Sequence, residues 1–243
     1  MKCLFTRKWI AATALVVLAV GVMVRLGLWQ LDRLAERRAF NARVSAQLEQ
    51  PPFELTRATW DRISAEMEYR SVRVIGEYDF SQQVALRNQA YENHAGVHLL
   101  TPLVIAGTER AVLVNRGWIP AEQAAPANWR AFDEPGVVEV RGVLRRAQTR
   151  ADFGGISDPP GFLFAWNLAN VERIAQQVAH PLLPVYLQQT PAPLTATAAR
   201  VYPIRSKPNL DLTEGSHLGY ALQWFVFAGI LAIGYPQFVR AQK

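Results

Sequence analysis

The chain has 243 residues, half of them hydrophobic, with 26 lysines and arginines against 20 aspartates and glutamates for a formal charge of +6. That length suits one ordinary domain plus membrane segments. The arginines alternate with apolar residues instead of forming a basic block, which argues against nucleic acid and for attraction to membrane lipid. The only cysteine, Cys3, excludes an intramolecular disulfide, a CxxC redox pair and a thiolate copper site.

Residues 10–24 carry no charge, and the apolar character continues to Leu31 past one interruption at Arg25. Lys2, Arg7 and Lys8 ahead of this run resemble the n-region of a signal peptide, yet Arg25-Leu-Gly-Leu-Trp-Gln after it offers no small-x-small cleavage site. An uncleaved anchor over 9–31 follows, with the Arg25 guanidinium reaching the headgroups. Residues 29–50 contain neither Pro nor Gly and stop at Pro51-Pro52, so the helix is expected to continue into water for several turns. Trp29, Arg33 and Arg37 share a stripe at four-residue spacing with Asp32 and Glu36 beside it, the pattern of a charged stalk.

Short extended segments come next, at 69–78, 83–88, 96–105, 111–118, 137–145 and 183–188. Val72-Arg-Val74, Val112-Leu-Val114 and Val138-Glu-Val140 have the β-branched, period-two character of half-buried strands. Connections too short for helical crossovers imply antiparallel neighbours in a curled sheet or small barrel. Val171, Ile174, Ala175 and Val178 predict a packed helix over 168–179, capped by Asn167 or Asn170. Residues 190–200, rich in Pro and Ala, read as an irregular return segment.

Residues 218–235 form a second uncharged run, ~27 Å long as a helix against ~30 Å of hydrocarbon, with His217 at its mouth. The fold class is therefore an α+β membrane protein, two transmembrane helices flanking a mainly antiparallel extramembrane sheet or barrel with one or two packed helices. The expected divisions are a tail over 1–8, spans over 9–31 and 217–236, a soluble domain over 32–216 and a tail over 237–243. Both tails are placed in the cytoplasm and the long loop across the membrane. The positive-inside rule supports this at the tails but not beside the first helix, where Arg33, Arg37, Arg38 and Arg43 follow the span.

No hydrolase, zincin, Walker or dinucleotide motif is present, and adjacent Ser216 and His217 would not face each other on a helix. His94 and His98 would share a helix face for a metal, but Gly96 and the strand-like sequence after it argue against a helix. In Asn115-Arg-Gly-Trp-Ile-Pro120, Arg116 reads as stabilising a turn and Trp118 as covering the core. His217 has Tyr220 and Trp224 at i+3 and i+7. Imidazole with aromatic flanks fits an axial ligand to haem iron, but spacing alone favours the ordinary aromatic belt of a membrane interface with a histidine beside it. Arg25, Trp29 and Arg33, at the corresponding level of the first helix, could receive haem propionates or lipid phosphates.

Leu26-Gly-Leu-Trp-Gln-Leu-Asp-Arg33, Val74-Ile-Gly-Glu-Tyr78, Gly96-Val-His-Leu-Leu-Thr-Pro102, Val114-Asn-Arg-Gly-Trp-Ile-Pro120, Val140-Arg-Gly-Val-Leu144 and His217-Leu-Gly-Tyr-Ala-Leu-Gln-Trp-Phe225 occur in this order. The ordered set, between two spans and covering nearly the whole chain, resembles the surfeit locus (Shy-type) family of cytochrome c oxidase assembly factors. The resemblance implies a non-enzymatic factor whose loop faces the periplasm or intermembrane space and assists delivery of haem a to the catalytic subunit of a haem-copper oxidase. It makes haem a synthase a further candidate partner. By this resemblance His217 is the ligand to haem iron, and the spacing then offers Tyr220, Trp224, Trp29 and Arg33 as residues around the cofactor, the family pattern itself assigning Arg33 no chemistry. A span starting by residue 10 leaves no room for a transit peptide, which points to a bacterial inner membrane. Two rival classes are a protein-binding scaffold for oxidase subunits that never touches haem, and a membrane-bound hydrolase or oxidoreductase using His94 and His98.

Overall fold

The computed structural model describes residues 6–151, 155–191 and 201–242. Lys2, Cys3, Lys243 and the return segment from 192 to 200 lie outside the described residues. The chain divides into two compact units, one formed by residues 1–43 with 211–243 and the other by 44–210.

The first unit is a pair of helices, α1 (Ile10–Leu48) and α3 (His217–Ala241). Unbroken α1 is ~58 Å long, about twice a hydrocarbon core, so the continuation past Trp29 expected from the missing Pro and Gly is present. Both helices are long and apolar enough to cross a membrane. Only 6% and 11% of their most apolar stretches are buried, unlike the core helix of a soluble fold. Leu15, Val17, Leu18, Ile230 and Ile233 all stand exposed. The helices meet along a narrow seam. Gly27 is buried, and a Cβ there would stand 2.6 Å from the Phe225 ring, so glycine is what lets that ring seat on α1. Thr13 and Tyr235 share a 2.8 Å hydroxyl hydrogen bond, and the rings of Trp9 and Phe238 meet edge-on at 6.1 Å.

The second unit is a mixed eight-stranded sheet. Its strands are β1 (Phe53–Leu55), β2 (Ser71–Tyr78), β3 (Val84–Tyr91), β4 (His94–Ile105), β5 (Ala111–Pro120), β6 (Val137–Arg146), β7 (Ala165–Trp166) and β8 (Leu182–Gln189). Order runs β1-β2-β6-β8-β5-β4-β3-β7. The twelve-residue β4 is long enough for two partners: its first part pairs with β3, while Leu103–Ile105 returns to Gly76–Tyr78 of β2. That return closes β2, β6, β8, β5 and β4 into a five-stranded barrel. At the closure a Cβ on Gly76 would overlap the Val104 carbonyl oxygen, so the corner requires glycine.

Period-two sequence decides which side chains fill the barrel. Val112, Val114, Val185 and Leu187 join Val72, Val74, Leu103, Val140 and Leu144 in one cluster. The intervening Leu113 and Tyr186 face outward, into a second cluster with Trp166, Val171 and Ile174 of the short helix α2 (Val171–Ala175). Leu103, Leu144 and Leu187 are wholly buried, and truncating any of them to Ala costs about 2–5 kcal/mol.

Three expectations are corrected. Pairs β1–β2, β3–β7 and β5–β8 are parallel, because short connections constrain only consecutive strands, whereas β5 and β8 are separated by residues 121–181. The helix expected over 168–179 lasts five residues, Asn170 accepting from Arg173 N as its cap. It ends where Gln177 turns inward to bond both backbone groups of Leu163, with Pro181 close behind. Residues 115–120 make no turn. They continue β5, with Arg116 the extra residue of a bulge opposite Leu99 and Leu100.

Candidate functional site

On α1 the residues Gly27, Gln30, Leu34, Arg37 and Asn41 alternate three and four apart, which puts them on one stripe, and four of them have contacts to the α3 side. Asn41 Nδ2 donates to the Leu212 carbonyl at 2.6 Å, and Arg37 donates to the carbonyls of Asp211 and Thr213. Arg38 meets Glu214 in a two-pronged ion pair, both bonds 2.8 Å. These bonds fasten residues 211–214 to α1, one turn ahead of His217. The Arg38 hydrogen bonds hold the Glu214 carboxyl below its usual carboxylate range.

Half-buried His217 opens α3, and its Nδ1 lies 2.8 Å from Gln30 Oε1. An amide oxygen only accepts, so this contact selects, for the neutral ring, the tautomer protonated on Nδ1 with the lone pair on Nε2. Gly215, at φ +69, borders that lone pair, and a Cβ there would come to 3.7 Å from Nε2. The arrangement is that of a metal-binding imidazole, one nitrogen held by a carbonyl and the other available.

Tyr220 is half exposed on the first turn of α3, and Trp224 lies one turn on, edge-to-face with Phe227 at 6.4 Å. Trp29, 46% exposed, is adjacent to Gln30 in sequence but off the seam. Arg33 pairs with Glu36 on its own helix at 2.5 Å. Arg25 is exposed. Gln30 and Gly27 belong to this site without having been singled out in the sequence. Their signal was the three-four spacing, hidden because Gly, Gln, Arg and Asn occupy places where a seam usually shows leucine.

Of the three remaining histidines, His180 stands beside Asp79, its Nε2 3.4 Å from Oδ2, and the pair His98 and His94 is placed differently again. His98 accepts from Asn115 Nδ2 at 2.9 Å, and burial pushes its pKa down to about 4, so it is neutral at ordinary pH. His94 is exposed, its Nδ1 2.9 Å from the Glu92 carbonyl, on the rim of a cavity of about 240 Å³ lined also by Tyr91, Trp118, Glu122 and Tyr202. Both lie on β4, not on a helix. Among the described residues no three His, Cys, Asp or Glu side chains gather as a metal site.

Beside His98, the β5 bulge turns Arg116 into the core, where it is wholly buried. Its Nη1 donates to Gln83 Oε1 at 2.9 Å, and Nη2 to Glu134 at 3.0 Å and to the Phe132 carbonyl. The rings of Tyr78 and Phe80 lie 5.1 and 4.9 Å away. Burial alone would raise the Glu134 pKa, but bonds from Arg205 and Arg116 overcome it and hold the carboxyl below its usual range. Arg205 thus ties the strand-like return at Ile204, which pairs with Trp118, to the barrel through Glu134.

The fold and site define a class: two long apolar helices that flank a mixed-sheet barrel in the sequence, with a histidine at the start of the second helix. The profile described as "SURF1 family" matches residues 17–229, and the chain belongs to that family. A SURF1-like protein of Monosiga brevicollis is 26% identical over 84% of this chain and 78% of its own. A SURF1-like protein of the bacterium Rickettsia bellii is 23% identical over 90% and 87%. The cytochrome oxidase assembly protein SHY1 of Saccharomyces cerevisiae is 29% identical over 42% of this chain and 26% of its own.

Proposed function

We propose that the chain is a non-catalytic assembly factor for a haem-copper terminal oxidase, anchored twice in a bacterial inner membrane with its sheet unit in the periplasm. In this reading His217 ligates haem a on its way to the oxidase catalytic subunit, haem a synthase being the natural source. Family membership and the name of the yeast relative support the assembly role. The observation that carries the haem reading is the Gln30–His217 bond, which occupies one imidazole nitrogen and leaves the other as a donor.

The residues fit the group. His217 Nε2 would hold the iron, Tyr220 and Trp224 would lie against the macrocycle, and Trp29 with Arg33 and Arg25 would flank the carboxylates. Haem, when bound, supplies an iron whose axial position takes a neutral imidazole nitrogen. Arg37 and Arg38 are engaged with residues 211–214 and are therefore poorer partners for a propionate. Exposed aromatics at the site leave it open on one side, which suits release to a partner.

One observation favours the scaffold reading. Phe162 and Phe164 stand 62% and 57% exposed on the sheet unit, edge-to-face at 4.9 Å, as an apolar patch that an oxidase subunit could cover. Purification in detergent from cells making haem a separates the two. Haem a in the parent and its loss in His217→Ala supports the carrier. Oxidase subunits that co-purify without haem in either protein make it a scaffold.

A further inference from the structure

We infer that Gln30 is a positioning residue, whose amide oxygen fixes His217 in the Nδ1-protonated form and aims Nε2 as a ligand donor; this rests on the proposed role of His217. A free imidazole in water prefers the proton on Nε2, the tautomer that has no lone pair there to give. Selecting the other form requires an acceptor held at Nδ1. Gln30 Oε1 supplies it at 2.8 Å, from a neighbouring helix and not from the segment that precedes His217.

The helix that carries the carboxamide is itself held in place. Gly27, one turn earlier on the same stripe, receives the Phe225 ring, and Arg37 and Asn41, further along it, bind the backbone of residues 211–213. Bonds on either side of Gln30 thus fix the spacing of the helices at the level where amide and imidazole meet. Gly215 completes the arrangement, since its left-handed φ of +69 takes the chain around Nε2 without a side chain beside it. A residue with a Cβ at 215 would be strained in backbone and would bring that Cβ into van der Waals contact with the imidazole. The chemistry selected is a metal centre that accepts one neutral imidazole nitrogen, as a ferric porphyrin does. A carbonyl partner on the far nitrogen also raises the basicity of the ligating one.

The test uses full-length protein in detergent labelled with ¹⁵N-histidine. The four histidines of the chain are few enough to resolve, and His217→Ala identifies the resonance. Without any ligand, His217 is expected to carry its proton on Nδ1 in the parent and in Gln30→Glu, which keeps an acceptor oxygen. In Gln30→Leu the proton is expected to move towards Nε2. Thr13→Val, which breaks the Thr13–Tyr235 bond of the same helix pair, is expected to leave the tautomer unchanged. Hemin titrated into the same proteins should bind about 10–100-fold more weakly to Gln30→Leu, with recovery in Gln30→Glu.

A parent already protonated on Nε2 would overturn the proposal, as would a Gln30→Leu protein with the parent's tautomer. A Thr13→Val protein that shifts like Gln30→Leu would also overturn it, by making the effect one of general loosening. Hemin that binds the parent and His217→Ala equally would refute the ligand reading alone, because the tautomer is read with no ligand present.

Discussion

Arg116 in the barrel and His217 in the helix pair are both polar groups set among apolar surroundings, and their partners are distributed in opposite ways. The terminal nitrogens of Arg116 are directed to Gln83, Phe132 and Glu134, and aromatic rings lie beside its guanidinium. His217 has one nitrogen held and one bare, with exposed aromatic surface next to it. A buried charge enclosed by partners organises structure, whereas a half-satisfied ring held at one end is prepared to bind. On the proposed reading the barrel keeps its shape through Arg116 and the helix pair takes the ligand.

The largest effect should come from breaking the barrel node. Arg116→Met removes one partner each from Gln83, Glu134 and the Phe132 carbonyl, leaves a hole beside them and should cost about 3–5 kcal/mol, read as a lower denaturant midpoint of the full-length protein. If Arg116 carried ligand chemistry instead, hemin binding would fall while the midpoint held.

Next comes a pH effect confined to the barrel. His98 has its pKa lowered from an ordinary 6.5 to about 4, so on acidification the unfolded chain takes up this proton first. Its contribution is complete above about pH 6.5, declines through the window down to about 4, and changes no further below that. The total is at most about 3 kcal/mol. Unfolding followed across that window should show a shallower acid loss in His98→Gln than in the parent.

Gly27→Leu reaches the other region. Its side chain would displace the Phe225 ring and prise Gln30 from His217, and hemin affinity should fall about tenfold with the barrel's unfolding midpoint unmoved. The smallest effect is reserved for Arg33→Ala, which removes an exposed pair between residues three apart and should leave the unfolding temperature where it was. A reduced hemin affinity in that variant would place Arg33 at the propionates.

The two regions also differ in how legible they were. Both long helices and six of the eight strands followed from apolar run length and from period two, since burial of alternate residues such as Val72 and Val74 is written directly into the pattern. Strands β1 and β7, three and two residues long, are too short to carry a period. Parallel pairing of β5 with β8 escaped because strand order depends on which distant segment fits beside β5, and local sequence does not encode that. The bulge at Arg116 looked like a turn, because Gly117 serves a left-handed φ of +127 equally well in either setting. At the candidate site, His217, Tyr220 and Trp224 could be named from their spacing. Gln30 could not, since a neutral amide within an apolar helix signals nothing until the second helix brings an imidazole to it.

The allocation of ligand chemistry to the helix pair is tested most directly by titrating hemin into detergent-purified full-length parent, His217→Ala and the double variant His94→Ala/His98→Gln, following the Soret band. The account predicts a saturable, histidine-ligated spectrum in the parent and in the barrel double variant, and its loss in His217→Ala. Retention of that spectrum in His217→Ala, with loss in the barrel double variant, would contradict it.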